Sequence, residues 1–120
     1  MSSIFGDFIA EKRKSRGISL RGMADELGIK APYLSDIEKG NRNPPSFEML
    51  EKISDILKLT ASDRNVMFDY AGEERNQVSP DLPDYIMNLP EARTALRKAR
   101  DKGKDAEFWN QITQTLDKDG

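Results

Sequence analysis

Between Ser19 and Gly40 the chain reads SLRGMADELGIKAPYLSDIEKG, and few local structures accommodate that order of residues. Met23, Ala24 and Leu27 recur at helical spacing behind Ser19, whose hydroxyl suits the N-cap of a helix. Gly28 follows at once, where a residue that enters the left-handed region cheaply ends a helix. Pro32 then marks a new start. A residue before proline avoids the α region, so Ala31 is expected as the N-cap and Pro32 as the first helical residue. Leu34 and Ile37 supply a second apolar stripe, and Gly40 closes it.

Two short helices joined by a tight glycine-containing turn form a helix-turn-helix, whose second helix is shaped to enter the major groove of double-stranded DNA. The positions expected on its outer face are Ala31, Pro32, Tyr33, Asp36 and Lys39, with Leu34 and Ile37 turned inward. Ala31 and Pro32 suit contact with a thymine methyl group, and Tyr33 can offer its ring to a methyl or its hydroxyl to a phosphate. Asp36 can accept from a cytosine amino group; its alternative is a surface pair with Lys39, three residues on. Ser19 and Arg21 flank the positive end of the first helix, a natural seat for a phosphate, and Lys30 adds charge at the turn.

The charge distribution fits such a surface better than the total does. The 120 residues have a net charge of −2. Eight basic and four acidic residues lie between Lys12 and Arg42, a local excess of +4 that leaves −6 for the remainder. Only the docking face of a DNA reader meets phosphates, so a basic face on an acidic body is compatible with binding. The chain has no cysteine and no histidine, which removes disulfides, thiol nucleophiles, the usual zinc ligands and the commonest general base. No glycine-rich phosphate cradle is present either, so an enzyme is disfavoured and neither metal nor cofactor is expected. MSSIFGDFIAEKRK lacks a secretory pattern and no apolar run reaches membrane-spanning length, so a cytoplasmic protein is expected.

From about Phe5 to Tyr70 the chain resembles the XRE/Cro family of bacterial and phage repressors. The resemblance runs through Ile18-Ser19, through Met23-Ala24 and Leu27-Gly28-Ile29, and through Tyr33-Leu34-Ser35, Ile37-Glu38-Lys39-Gly40. It continues into the basic, proline-containing loop from Asn41 to Ser46. It implies an all-α fold: a five-helix lambda-repressor-like DNA-binding domain, here with additional C-terminal helices. It also implies that Arg13 bridges Glu38, and that Asn41, Arg42 and Asn43 grip the DNA backbone beside the recognition helix. The chain departs from the family at Leu20, where a DNA-contacting glutamine is usual, and at Lys30 and Pro32, which replace serines.

The remaining elements follow from apolar periodicity and turn residues. A first helix is expected over Ser3–Arg16, a fourth behind Ser46 with Phe47, Leu50, Ile53, Ile56 and Leu57 on its inner face, and a fifth behind Thr60. This divides the chain into a DNA-binding domain over 1–71, a linker with a short helical turn over 72–90, and a C-terminal helical segment over 91–120. In the last segment Leu96, Trp109, Ile112 and Leu116 form an apolar stripe that could dimerise, dock in cis or hold a partner protein. A palindromic operator needs two readers about 34 Å apart, so a homodimer is expected. The sequence thus points to a sequence-specific transcriptional regulator, a repressor acting as a dimer. The second reading is an antitoxin-like or partner-controlled regulator whose C-terminal helices bind another protein.

Overall fold

Four helices of the N-terminal half start where a side chain occupies one of their first free N–H groups. In the computed structural model, which describes residues 3–119, Ser3, Ser19, Ser46 and Thr60 accept from Gly6, Gly22, Met49 and Asp63 backbone N–H at 2.9, 2.9, 3.4 and 3.1 Å. The helices they open are α1 (Ile4–Ser15), α2 (Leu20–Leu27), α4 (Phe47–Leu57) and α5 (Ala61–Glu74). Between α2 and α4 lies α3 (Ala31–Lys39), which has no side-chain cap. Then follow α6 (Pro83–Met87), α7 (Pro90–Asp101) and α8 (Ala106–Asp117), the last capped by Asp105. No strand occurs among the described residues, and the fold is all-α. The expected domain ends at 1 and 120 lie outside the described residues.

The α3 start differs by one residue from the expectation. Lys30 is the N-cap and Ala31 the first helical residue, with Pro32 second. The Lys30 carbonyl accepts from both Tyr33 and Leu34 N–H, at 3.0 and 3.2 Å, which fixes the first turn. Ala31 packs against the core in its helical conformation, and that packing outweighs the local bias against α geometry before proline. Between α2 and α3, Gly28 sits at φ 72°, a conformation strained for any residue with a Cβ.

The chain divides into two compact units, Met1–Pro83 and Asp84–Gly120. In the first, α1 packs on α3 and α5 while α2 packs on α3 and α4. The core gathers Phe5 and Ile9 from α1, Met23 and Leu27 from α2, Leu34 and Ile37 from α3, Leu50, Ile53 and Leu57 from α4, and Met67 and Phe68 from α5. Leu20, which stands where the family has a polar contact residue, lies half-buried against this core. Phe47 stacks on Phe68 at 5.6 Å between centroids, and Phe8 meets Tyr70 edge-on at 5.8 Å.

Polar side chains tie the helix ends together across the unit. Arg16 donates to the Leu57 and Lys58 carbonyls at 2.8 and 3.3 Å, satisfying the C-terminus of α4. Glu74, ending α5, accepts from Ser3 Oγ and Phe5 N–H at the start of α1. Past α5 the chain turns back over Gly72: Gln77 N–H donates to the Gly72 carbonyl at 2.9 Å, and Ser79 hydrogen-bonds Asp69.

In the second unit Arg93 of α7 donates to the Ile86 and Met87 carbonyls at the end of α6. Leu96, Trp109 and Ile112 are each 39% exposed and Leu116 63%. No helix among the described residues is long and apolar enough to cross a membrane.

Candidate nucleic-acid interface

The helix α3 is held at its back and presented at its front. Leu34 and Ile37 are fully buried, which fixes the helix about its own axis. Glu38 fixes its C-terminal end. Arg13 donates from Nε and Nη2 to the two Glu38 carboxylate oxygens at 2.8 and 3.1 Å, while its Nη1 donates to the Ile18 carbonyl at 2.9 Å. Both side chains are only 10% exposed, so this forked pair is largely withdrawn from water. The hydrogen bond from Glu38 pushes the Arg13 guanidinium further above its already high value, against the opposing effect of burial.

At the same crossing Gly6 brings the α1 backbone directly against α3. A Cβ there would lie 2.2 Å from the Glu38 carbonyl oxygen and 2.8 Å from that of Ile37. Glycine is required by this close approach rather than by its own dihedral angles. Nothing in the local pattern of α1 singles it out.

On the front of α3, Pro32, Tyr33 and Lys39 are exposed, and Ala31 and Asp36 are half-buried. Ser19, Arg21 and Lys30 are exposed beside the turn, and Asn41, Arg42 and Asn43 on the loop behind α3. The Ser19 hydroxyl is occupied as the α2 cap. The loop itself is anchored. Asn41 N–H donates to the Asp36 carbonyl at 2.9 Å, and buried Pro44 accepts through its carbonyl from both Nε and Nη2 of Arg75, just past α5. Arg75 lies far from the motif in sequence and could not be assigned to it by spacing.

Arg42, though exposed, folds back from the loop over α3. Its guanidinium carbon lies 5.0 Å from the Tyr33 ring centroid, and its Nε lies 3.7 Å from Asp36 Oδ2. Asp36 therefore faces Arg42 rather than Lys39, because the turn at Gly40 brings the loop back along α3. An open groove of about 680 Å³ runs beside this cluster, lined by Tyr33, Arg42, Asn43, Ser46, Met49 and Arg75.

The basic residues counted from the sequence fall into two groups. Arg13 is buried against Glu38, Arg16 binds carbonyls at the end of α4, Lys12 pairs with Asp63 of α5 at 3.0 Å, and Arg42 pairs with Asp36. Lys14, Arg21, Lys30 and Lys39 are exposed and pair with no carboxylate among the described residues. No group of three or more His, Cys, Asp or Glu among the described residues is placed to hold a metal ion.

Comparison with known proteins agrees with this geometry. The family described as "Helix-turn-helix" matches residues 9–63, from within α1 to the first turn of α5. An uncharacterized HTH-type transcriptional regulator, YqaE of Bacillus subtilis, is 31% identical over 113 residues, covering 92% of this chain and 84% of its own. The HTH-type transcriptional regulator DdrOP3 of Deinococcus deserti is 28% identical over 124 residues, covering 91% and 95%. SinR of Bacillus subtilis, also an HTH-type transcriptional regulator, is 37% identical over 57 residues, 48% of this chain and 51% of that protein. A chain of the solved SinR protein/SinI protein complex overlays with a TM-score of 0.49 at 24% identity, covering 98% of this chain and all of that one. With α3 displayed on a helical frame and relatives along almost its whole length, the chain belongs to the XRE-type helix-turn-helix transcriptional regulators, DNA-binding proteins and not enzymes.

Proposed function

We propose that this regulator is a repressor that binds a palindromic operator as a homodimer in the cytoplasm and blocks access to it. The observation that supports this best is the outward presentation of α3: buried by Leu34 and Ile37, locked by Arg13–Glu38 and bare along Pro32, Tyr33 and Lys39. An α-helix held this way fits the major groove, where each base pair offers a distinct pattern of donors, acceptors and methyl groups. Ala31, Pro32, Tyr33 and Asp36 form the surface nearest the bases. Ser19, Arg21, Lys30, Lys39, Asn41 and Asn43 form the surrounding surface that meets the phosphates, and Arg42 lies where the two surfaces join, over Tyr33 and beside Asp36. In domain terms, 1–71 reads DNA, 72–90 connects, and 91–120 joins two copies.

The exposed stripe of Leu96, Trp109, Ile112 and Leu116 favours that last assignment, since apolar faces of this kind are covered in the working assembly. The same exposure favours a second reading, in which another protein covers the stripe and controls DNA binding. Sedimentation of the full chain, alone and with a duplex selected from a random pool, tests both. A dimer that binds one duplex with two half-sites supports the repressor reading. A monomer at all concentrations contradicts it.

A further inference from the structure

The acid on the DNA-facing side of α3 is out of place for a helix that approaches phosphates, and the loop arginine beside it explains the placement. From Tyr33 to Asp36 is one helical turn, so both side chains rise from the same face of α3. Arg42 lies across them, its guanidinium 5.0 Å from the ring centroid and its Nε 3.7 Å from the carboxylate. Its Nη groups make no hydrogen bond among the described residues. The side chains of Arg42 and Asp36 are 55% and 43% exposed, so solvent screens the pair and it adds little to stability. Its consequence is directional. The guanidinium lies over the ring, its Nε is beside the carboxylate, and its two terminal amino groups have no hydrogen-bond partner among the described residues.

We propose that Arg42 is a specificity-determining residue that reads guanine in the major groove, and that Asp36 is a positioning residue that aims it. The two amino groups of a guanidinium match the O6 and N7 acceptors of guanine. A side chain steered back along α3 lies beside the base-facing positions of that helix. Asp36 also has its charge offset by Arg42, which lowers its repulsion by the phosphates. This inference rests on the proposal that α3 enters the major groove, and it replaces direct reading of cytosine by Asp36 with indirect reading of guanine through Arg42.

The test is a binding-site selection from random duplexes with the full chain, followed by affinity and salt-slope measurements on the selected site and its single-base variants. The wild type is expected to require guanine at one position of each half-site. Arg42→Lys keeps the charge but not the two-pronged edge, so it should lose that preference, by about ten-fold or more, with the salt slope unchanged. Asp36→Asn should relax the same position and no other. Circular dichroism of both variants should match the wild type, because neither side chain is part of the core. Uniform weakening by Arg42→Ala across all sites, with preferences intact and a flatter salt slope, would make Arg42 a phosphate contact and overturn the assignment. Relaxation by Asp36→Asn at a different position from Arg42→Lys would also overturn it. Absence of salt-sensitive duplex binding by the wild type would overturn the groove-entry reading itself, and this inference with it.

Discussion

Gly6 is the position where one methyl group should do the most damage to both stability and DNA binding. In Gly6→Ala the new carbon would stand 2.2 Å from the Glu38 carbonyl oxygen and 2.7 Å from its carbon, and ordinary contact begins at 3.4 Å. Both atoms are backbone, so no rotamer change relieves the overlap. Restoring contact means separating α1 from α3 by roughly 1 Å, at the crossing that also holds the Arg13–Glu38 pair. Overpacking of this kind costs about 3 kcal/mol, and alanine returns about 1 kcal/mol over glycine in helix propensity. The net loss of about 2 kcal/mol corresponds to a drop in Tm of roughly 8–16 °C for a unit of this size. Calorimetry measures that shift. Gly22→Ala is the control, because its added carbon meets only the Ser19 side-chain oxygen at 3.0 Å and its loss should be far smaller. A Gly6→Ala protein as stable as wild type would show that the α1–α3 crossing is not the tight contact described here.

Further outcomes follow from the same geometry. Arg13→Met leaves the Glu38 carboxylate withdrawn from water without its partner and should cost about 3–5 kcal/mol in urea unfolding; adding Glu38→Met should recover much of the loss. Because the Arg13 pKa is raised, the pair's contribution is complete below the ordinary guanidinium value and is lost only as pH rises through the folded one. The stability difference between wild type and the double variant should therefore stay constant from about pH 7 to 10. Arg75→Ala frees the Pro44 carbonyl and should loosen the loop behind α3, lowering duplex affinity several-fold at a melting loss of about 1–2 kcal/mol. Trp109→Ser with Ile112→Ser should shift the monomer–dimer equilibrium toward monomer in sedimentation while leaving the thermal unfolding of the first unit in place; an unchanged equilibrium would remove α8 from the interface.

What could be read from the chain alone was whatever depends on near neighbours. Ser19, Ser46 and Thr60 announce helix starts because a cap acts within three residues, and Gly28 announces a stop because its conformation is local. The buried stripes of α2, α3 and α4 are equally local, since helical periodicity alone places Leu34 with Ile37 or Leu50 with Ile53. Long-range packing was not legible. Ala31 enters α3 against its local bias because the core receives it, and Gly6 matters only once α3 lies across it. Asp36 illustrates the limit inside the motif itself: helix spacing offers Lys39, but the chain reverses at Gly40 and delivers Arg42 instead. Arg16 on the end of α4 and Arg75 on Pro44 are set by tertiary geometry that no spacing rule encodes. The Arg13–Glu38 pair, present as the family resemblance implied, joins residues 25 positions apart that no helical spacing connects.

The most direct test of α3 as the reading element is an amide and side-chain NMR titration of the full chain with its selected duplex, at two salt concentrations. The account predicts that the largest shifts cluster on Ala31–Asp36, the Arg42 Nε resonance and the Ser19–Arg21 turn, and that the apparent Kd rises steeply with salt. Shifts confined to other surfaces, with Tyr33 and Arg42 unmoved at saturation, would contradict it.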